Sequence, residues 1–156
     1  MLGSSFLELE QKANVAVGRY RYDFNDQLSI GAIGTFRHGD EYGNDVVGAD
    51  ARWRKDAHTA TAQFLHSQSE YPARVANRYA TELGADATPT GNAWRAGYTF
   101  SNRNWNFDVN HVEIDPGFRA DLGYIGQVGY DKSLIGGQRT WYRDGKSIHR
   151  FSLYGD

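Results

Sequence analysis

Histidines and a run of acidic residues are the side chains of this sequence best suited to metal binding. None of the histidines has the HExxH spacing of a zinc site. His111 and Glu113 fall on one face of a predicted strand and could share a metal ion, although a position at the rim of a sheet is the simpler interpretation. Residues 39–45 offer oxygen ligands without the spacing of an EF-hand. The sequence therefore predicts no metal site and no bound cofactor.

Catalytic motifs are also missing from the sequence. It contains no GxSxG nucleophile motif, no P-loop and no dinucleotide fingerprint. The cysteine count of 0 excludes disulfides, thiolate metal sites and cysteine nucleophiles. Asp50 and Asp108 could serve a barrel hydrolase, but the sequence does not show that they are paired, so structural ion pairs are the default interpretation. We predict no catalytic residues, and the sequence favours a role other than catalysis.

The composition indicates one domain rich in aromatic residues and glycine. The chain has 156 residues, among them 18 Gly, 10 Tyr, 8 Phe and 4 Trp, and only 3 Pro. Its net charge of -2 argues against a general nucleic-acid binder, which would carry a basic surplus. The mean hydropathy is negative. This value does not exclude a transmembrane β-barrel, in which only every second residue of a strand faces lipid.

Two-residue alternation of apolar and polar side chains runs through most of the chain and predicts strands. The clearest case places Trp105, Phe107 and Val109 on one side of a strand and the residues between them on the other. The same pattern predicts three hairpins, at 16–36, 47–64 and 94–112. Further strands are predicted at 122–131, 135–142 and 147–154, with an Asp-Gly turn at 143–146.

The predicted connections differ in length in a regular way. Short turns are expected at Asn25-Asp26, Lys55-Asp56 and Asn102-Arg103, and longer connections at 38–44, 67–91 and 115–121. Residues 74–83 within the second of these fit a short helix or an ordered loop. Strict alternation of short and long connections is typical of outer-membrane barrels, which have short periplasmic turns and longer outer loops. We therefore expect the turns at one end of the sheet and the long connections at the other.

The two predicted faces differ in chemistry. Aromatic side chains gather near the turns, and the headgroup region of a membrane favours such rings. The aromatic residues expected to face lipid or to form an aromatic girdle are Tyr22, Phe24, Trp53, Trp94, Phe100, Trp105 and Phe107. Charged side chains fall on the other face and are expected to line a lumen: Arg19, Arg21, Arg37, Asp50, Arg52, Arg95 and Asp108. The alternative is a soluble sheet with the rings in its core and the charges in solvent.

Several short motifs resemble a known family. They are NVAVGR at 14–19, IGAIGT at 30–35 followed by Arg37, GADAR at 48–52 and FRADLGY at 118–124. This pattern resembles the barrel region of the bacterial family called domain of unknown function 5916. The resemblance implies a strand beginning at 118–124, a large outer-membrane β-barrel and a preceding carbohydrate-binding module similar to family 9. It supplies a location and a shape, and no reaction.

The predicted fold is an all-β, antiparallel, up-and-down meander of about eight or nine strands, forming a transmembrane β-barrel or a fragment of a larger one. Residues 1–13 are a lead-in, and residues 14–156 are the barrel segment. Because 1–10 lack the features of a signal peptide, we expect a truncated piece of a bacterial outer-membrane protein. Its expected role is a pore or surface scaffold, with the lipid bilayer as partner and a carbohydrate or another small solute as ligand. The alternative is a soluble ligand-binding β-barrel or sandwich.

Overall fold

A computed structural model describes residues 12–73, 75, 88–123, 125–143 and 147–155 of the chain. The segments with alternating apolar and polar residues form eight long strands. Their bounds are β1 Asn14–Asp23, β2 Leu28–Gly39, β3 Tyr42–Lys55, β4 His58–Glu70, β5 Thr90–Ser101, β6 Trp105–Ile114, β7 Tyr130–Arg143 and β8 Ser147–Gly155. Each strand pairs in antiparallel register with the next, so the sheet order is the chain order. The predicted all-β antiparallel meander is confirmed.

The sheet is open. β1 pairs only with β2 and β8 only with β7, so the described strands do not close into a barrel. Closure would need the edges of β1 and β8 to be paired, directly or through further strands. The described part of the chain contains no helix with the length and hydropathy needed to cross a membrane.

Three tight turns lie at one end of the sheet, called here the turn end. They join β1 to β2, β3 to β4 and β5 to β6, as predicted. The side-chain oxygen of Asn25 accepts hydrogen bonds from the backbone N–H groups of Gln27 and Leu28 at 2.9 and 2.8 Å. Asn102 stabilises the third turn in the same way. These Asx turns explain why Asn stands at the first position of two predicted turns.

The other end of the sheet, the loop end, departs from the predicted connection lengths. Residues 38–44 were expected to form a longer loop, which is wrong because β2 and β3 extend until only Asp40 and Glu41 separate them. Glu41 adopts the left-handed φ of 56° that this tight turn requires. The His38 ring pairs with the Asp45 carboxylate between the two strands. Polar side chains at strand ends therefore resemble a loop in the sequence.

The predicted strand at 122–131 is also wrong. The connection after β6 runs from 115 to 129, and β7 begins at Tyr130. Residues 118–123, which the family resemblance placed at a strand start, form no strand but lie against the sheet. Pro116 has no backbone N–H to donate to a ladder, which favours a turn there. Most of the predicted helix or loop at 74–83 and the turn residues 144–146 lie outside the described residues.

The described residues cover little of the sheet. The buried core consists of Val46, Ala93 and Phe118, with Leu65 and Ile114 packed against them near the loop end. The chain exposes 11238 Å² of accessible surface. A compact folded monomer of 17.5 kDa is expected to expose about 7,900 Å². Among the described residues, no segment covers either face of the sheet over most of its area.

Candidate functional site

One face of the sheet, called here the polar face, carries the predicted charged side chains. Residues paired across strands point to the same side. Gly31 pairs with Asp50, Asp50 with Gln63 and Gln63 with Arg95, which places Asp50 and Arg95 on one face. The same registers place all seven predicted residues on it: Arg19, Arg21, Arg37, Asp50, Arg52, Arg95 and Asp108.

The opposite face, called here the apolar face, carries the predicted aromatic rings of the strands. They are Tyr22, Trp53, Trp94, Phe100, Trp105 and Phe107. The seventh predicted ring, Phe24, follows β1 and packs edge-on against Tyr22 with the ring centroids 4.8 Å apart. All four tryptophans lie on this face, because Trp141 of β7 points the same way as Trp105.

Large apolar side chains on the apolar face are solvent-exposed. Tyr20 is 66% exposed, Phe64 50% and Ile135 53%. No described segment packs over them. Small residues lie among them, with Ala51, Ala62 and Ala96 in one cross-strand row. An uncovered surface of this extent needs a partner phase or a partner protein.

Charges on the apolar face occur only near the strand ends among the described side chains. At the loop end they are acidic: Asp45, Glu70, Glu113 and Asp131. At the turn end they are basic: Lys55 and Arg139. On β3, the stretch from Asp45 to Lys55 measures about 33 Å at ~3.3 Å per residue, or about 25 Å vertically for a strand tilted ~40°.

Aromatic rings with polar contacts mark both boundaries of this uncharged band. The indole N–H of Trp94 donates to the Glu113 carboxylate at 2.8 Å. At the turn end, the Arg139 guanidinium lies 4.7 Å from the ring centroids of both Trp105 and Trp141. Such rings combine an apolar body with a polar tip, which is the chemistry that membrane interfaces favour.

The polar face contains both paired and unpaired charges. Arg19 binds the Asp50 carboxylate at 2.9 Å, and Arg21 binds Asp23 at the same distance. Arg52, Arg54 and Arg95 form no ion pair with the described residues. A cleft at the turn end is lined by Arg21, Arg52 and Arg54, by the carboxylates Asp23 and Asp26, and by neighbouring polar residues of the β1–β2 turn.

Residues 115–121, called here the inward segment, fold over the loop end of the polar face. Phe118 is fully buried against Val46 and Ala93. Gly91 permits this close approach, because a Cβ there would lie 2.3 Å from the backbone nitrogen of Phe118. The Ser67 hydroxyl accepts a hydrogen bond from the Arg119 N–H at 2.9 Å. The segment is therefore held to the polar face of β4 and β5.

A buried polar cluster fixes the end of this segment. The Asn44 amide donates to the Ser69 hydroxyl at 2.8 Å and to the Arg119 carbonyl at 3.2 Å, and its oxygen accepts from the Asp121 N–H at 2.9 Å. The Asp121 carboxylate accepts hydrogen bonds from the phenols of Tyr42 and Tyr71. Burial, followed by the nearby Asp121 charge, raises the pKa of Tyr71 above its usual value.

Sequence reasoning missed this cluster. Its members come from β3, β4 and two connections, so their proximity depends on the fold. One signal was present: Asn44, Ser67 and Ser69 place small polar side chains on the polar face where other strands carry arginine. In the structure, the Asn44 and Ser67 side chains bind backbone groups of Arg119 and Asp121.

His111 and Asp50, two of the candidate metal and hydrolase residues, are engaged in other contacts. The His111 ring lies 4.5 Å from the Trp94 ring and pairs with the Ser133 hydroxyl at 2.8 Å. Asp50 binds Arg19. Within the described residues, no group of three or more His, Asp or Glu side chains is arranged to hold a metal ion.

Comparison with known protein families, curated proteins and solved structures gives no match for this chain. The resemblance to the domain of unknown function 5916 family stays a prediction, together with the carbohydrate-binding module that it implies.

Proposed function

We propose that the chain forms part of the wall of a bacterial outer-membrane β-barrel that acts as a pore or surface scaffold. In this proposal the apolar face contacts the lipid bilayer and the polar face lines an aqueous lumen. The turn end lies at the periplasmic side, and the loop end lies at the outer side.

The uncharged band on the apolar face carries the proposal. If β3 has the ~40° tilt of strands in outer-membrane barrels, the height of the band is about 25 Å, which matches the apolar band of such barrels. Trp94 stands at one boundary, and Trp105 and Trp141 stand at the other, as in an aromatic girdle. Lys55 and Arg139 at the turn end are placed to meet anionic lipid headgroups. Contact with a lipid bilayer therefore accounts together for the uncharged band, the aromatic rings at its boundaries and the basic residues at the turn end.

The polar face supports an aqueous lumen. Charged side chains opposite a lipid-facing surface are stable where water or ion partners solvate them. Arg19 has such a partner in Asp50. The inward-folded residues 115–121 narrow the space above this face near the loop end, since Phe118 and Arg119 lie over β4 and β5.

The two free edges require partner strands in this setting. Unpaired N–H and C=O groups in a hydrocarbon phase cost several kcal/mol each, so an open sheet edge is not stable in lipid. The edges of β1 and β8 must therefore be paired in the membrane, either with each other or with further strands.

A soluble ligand-binding barrel or sandwich is the second candidate. It requires a layer packed on the aromatic rings, and no described segment supplies one: Tyr20 and Phe64 remain at least half exposed. The inward segment covers the polar face instead. These observations favour the membrane proposal.

Depth-dependent fluorescence quenching tests the proposal. In a background with Trp53, Trp94, Trp105 and Trp141 all changed to Phe, a single tryptophan is introduced as Ala62→Trp or, for the matched control, Thr61→Trp. The two positions are adjacent but lie on opposite faces. The chain is folded into phosphatidylcholine vesicles with or without bromine on the acyl chains.

We expect brominated lipid to quench Ala62→Trp strongly and Thr61→Trp weakly, whereas aqueous acrylamide does the reverse. Equal quenching at the two positions would contradict the proposal. So would a monodisperse folded chain in detergent-free buffer that does not partition into vesicles.

A further inference from the structure

The polar face has an excess of positive charge although the whole chain does not. The net charge of the chain is -2. Among the described strand side chains, however, the polar face carries seven cations against three carboxylates, which are Asp23, Asp50 and Asp108. The cations are Arg19, Arg21, Arg37, Arg52, Arg54, Arg95 and Lys132.

Among the described residues, ion pairing leaves Arg52 and Arg54 without a partner in the turn-end half of the face, where Asp108 is the remaining strand carboxylate. Asp50 and Asp23 are bound by Arg19 and Arg21. Arg52 and Arg54 stand two residues apart on β3, so their Cα atoms are about 7 Å apart. Both line the turn-end cleft, where three arginines face two carboxylates, Asp23 and Asp26.

The acidic groups of the inward segment lie at the loop end and are held there. Asp121 accepts hydrogen bonds from two tyrosines, and Asp115 accepts from the backbone and side-chain N–H groups of Asn92 at 2.7 and 3.1 Å. They are therefore not positioned to pair with Arg52 or Arg54 at the other end of the strands.

We infer that the polar face attracts anions, and that the path along it favours small solutes bearing carboxylate or phosphate groups. This inference rests on the proposed function, because it is the lumen that makes the face a path. The planar guanidinium binds two oxygens of such a group at once, which suits Arg52 and Arg54 to the task. A surface of one charge sign also raises the local concentration of ions of the opposite sign.

Charged thiol reagents measure this property without a conducting pore. The chain contains no cysteine, so Thr61→Cys places a single thiol on the polar face beside Arg52. Its reaction rates with an anionic sulfonatoethyl and a cationic trimethylammonium-ethyl methanethiosulfonate are measured in vesicles. Their ratio is divided by the ratio for a free thiol in solution.

We expect this normalised ratio to favour the anionic reagent by about three- to tenfold at low ionic strength, since a unit charge about 7 Å away in water changes each rate about threefold. Arg52→Gln should lower the ratio several-fold, and added salt should lower it as well. Lys55→Gln removes the same charge from the other face of β3 and should leave the ratio unchanged.

Ala62→Cys, on the apolar face, distinguishes the two possible failures. If Thr61→Cys shows the ratio of a free thiol, or if Arg52→Gln has no effect, the anion inference is wrong while the membrane assignment stands. If Ala62→Cys in vesicles reacts with both charged reagents as fast as Thr61→Cys, the membrane assignment is wrong. Slow reaction of Ala62→Cys with both reagents supports the membrane assignment.

Discussion

The side-chain oxygen of Asn44 accepts a hydrogen bond from the backbone N–H of Asp121 at 2.9 Å, although 77 positions separate the two residues. Asn44 is only 1% exposed, and its amide nitrogen binds Ser69 and Arg119 in addition. One side chain of β3 thus connects two strands of the sheet to the inward-folded segment. This contact fixes the segment to the polar face of the sheet.

Asn44→Ala should release the segment. The substitution leaves the Asp121 N–H and the Arg119 carbonyl without their partner in a buried place, which costs about 1–3 kcal/mol for each unsatisfied group. We expect the free energy of unfolding to fall by about 2–4 kcal/mol in urea titrations from vesicles. Amide hydrogen exchange at residues 118–121 should become faster. Asn110→Ala, an exposed amide on the same face, is the control and should change stability by less than about 0.5 kcal/mol.

Gly91→Ala tests the close approach of the segment to β5. The new Cβ would lie 2.3 Å from the Phe118 nitrogen, a backbone atom that cannot move without displacing the segment. We expect a loss of about 1–3 kcal/mol, the usual cost of overpacking. Gly18→Ala is the matched control, because a Cβ there meets no atom within 4 Å. Equal thermal stability of the two variants would show that 115–121 does not pack on β5 as described.

Tyr71 should make the free energy of unfolding decrease at alkaline pH. Its pKa is raised in the folded protein, first by burial and then by the Asp121 charge. The folded state therefore keeps the phenolic proton at pH values where the unfolded chain loses it. The stabilisation of the fold by the protonated Tyr71 phenol is complete below the unfolded pKa of about 10 and is lost as pH rises above that value. The difference in unfolding free energy between the native chain and Tyr71→Phe should shrink between about pH 9 and pH 12.

The sequence allowed prediction of which face each strand residue occupies, because alternation with a period of two is a local property. Trp53 and Arg52 are adjacent in the chain, and the alternation was enough to assign them to opposite faces. The extent of the strands was less predictable. His38 and Asp45 are polar, so the strand ends that contain them looked like loop, although their side chains pair across the β2–β3 hairpin.

The inward segment could not be predicted from the sequence for a different reason. Leu122 and its neighbours alternate in the manner of a strand, yet the backbone of 118–121 binds side chains of Asn44 and Ser67 rather than a neighbouring strand. Those partners are distant in the chain and become neighbours only when the sheet has formed. Local periodicity carries no information about such contacts.

Ala62→Leu and Ala93→Leu compare two alanines of the sheet that have opposite surroundings. Ala62 is exposed on the apolar face, whereas Ala93 is 7% exposed and packs with Val46 and Phe118. We expect Ala62→Leu to be neutral or mildly stabilising in vesicles, because lipid accommodates the larger side chain. Ala93→Leu should cost about 1–3 kcal/mol through overpacking. A similar cost at Ala62 would mean that a packed protein layer covers the apolar face.

Ala62→Arg tests whether that exposed surface meets lipid or water. A position in the middle of the uncharged band should make arginine cost about 2–4 kcal/mol, as at the midplane of other barrels. Thr61→Arg, one residue away on the polar face, should cost less than about 1 kcal/mol because the guanidinium reaches water. The measurement is the free energy of unfolding from vesicles, with both variants compared with the native chain. If the apolar face were bathed in water, both arginines would be tolerated alike, and equal costs at 61 and 62 would refute the lipid contact.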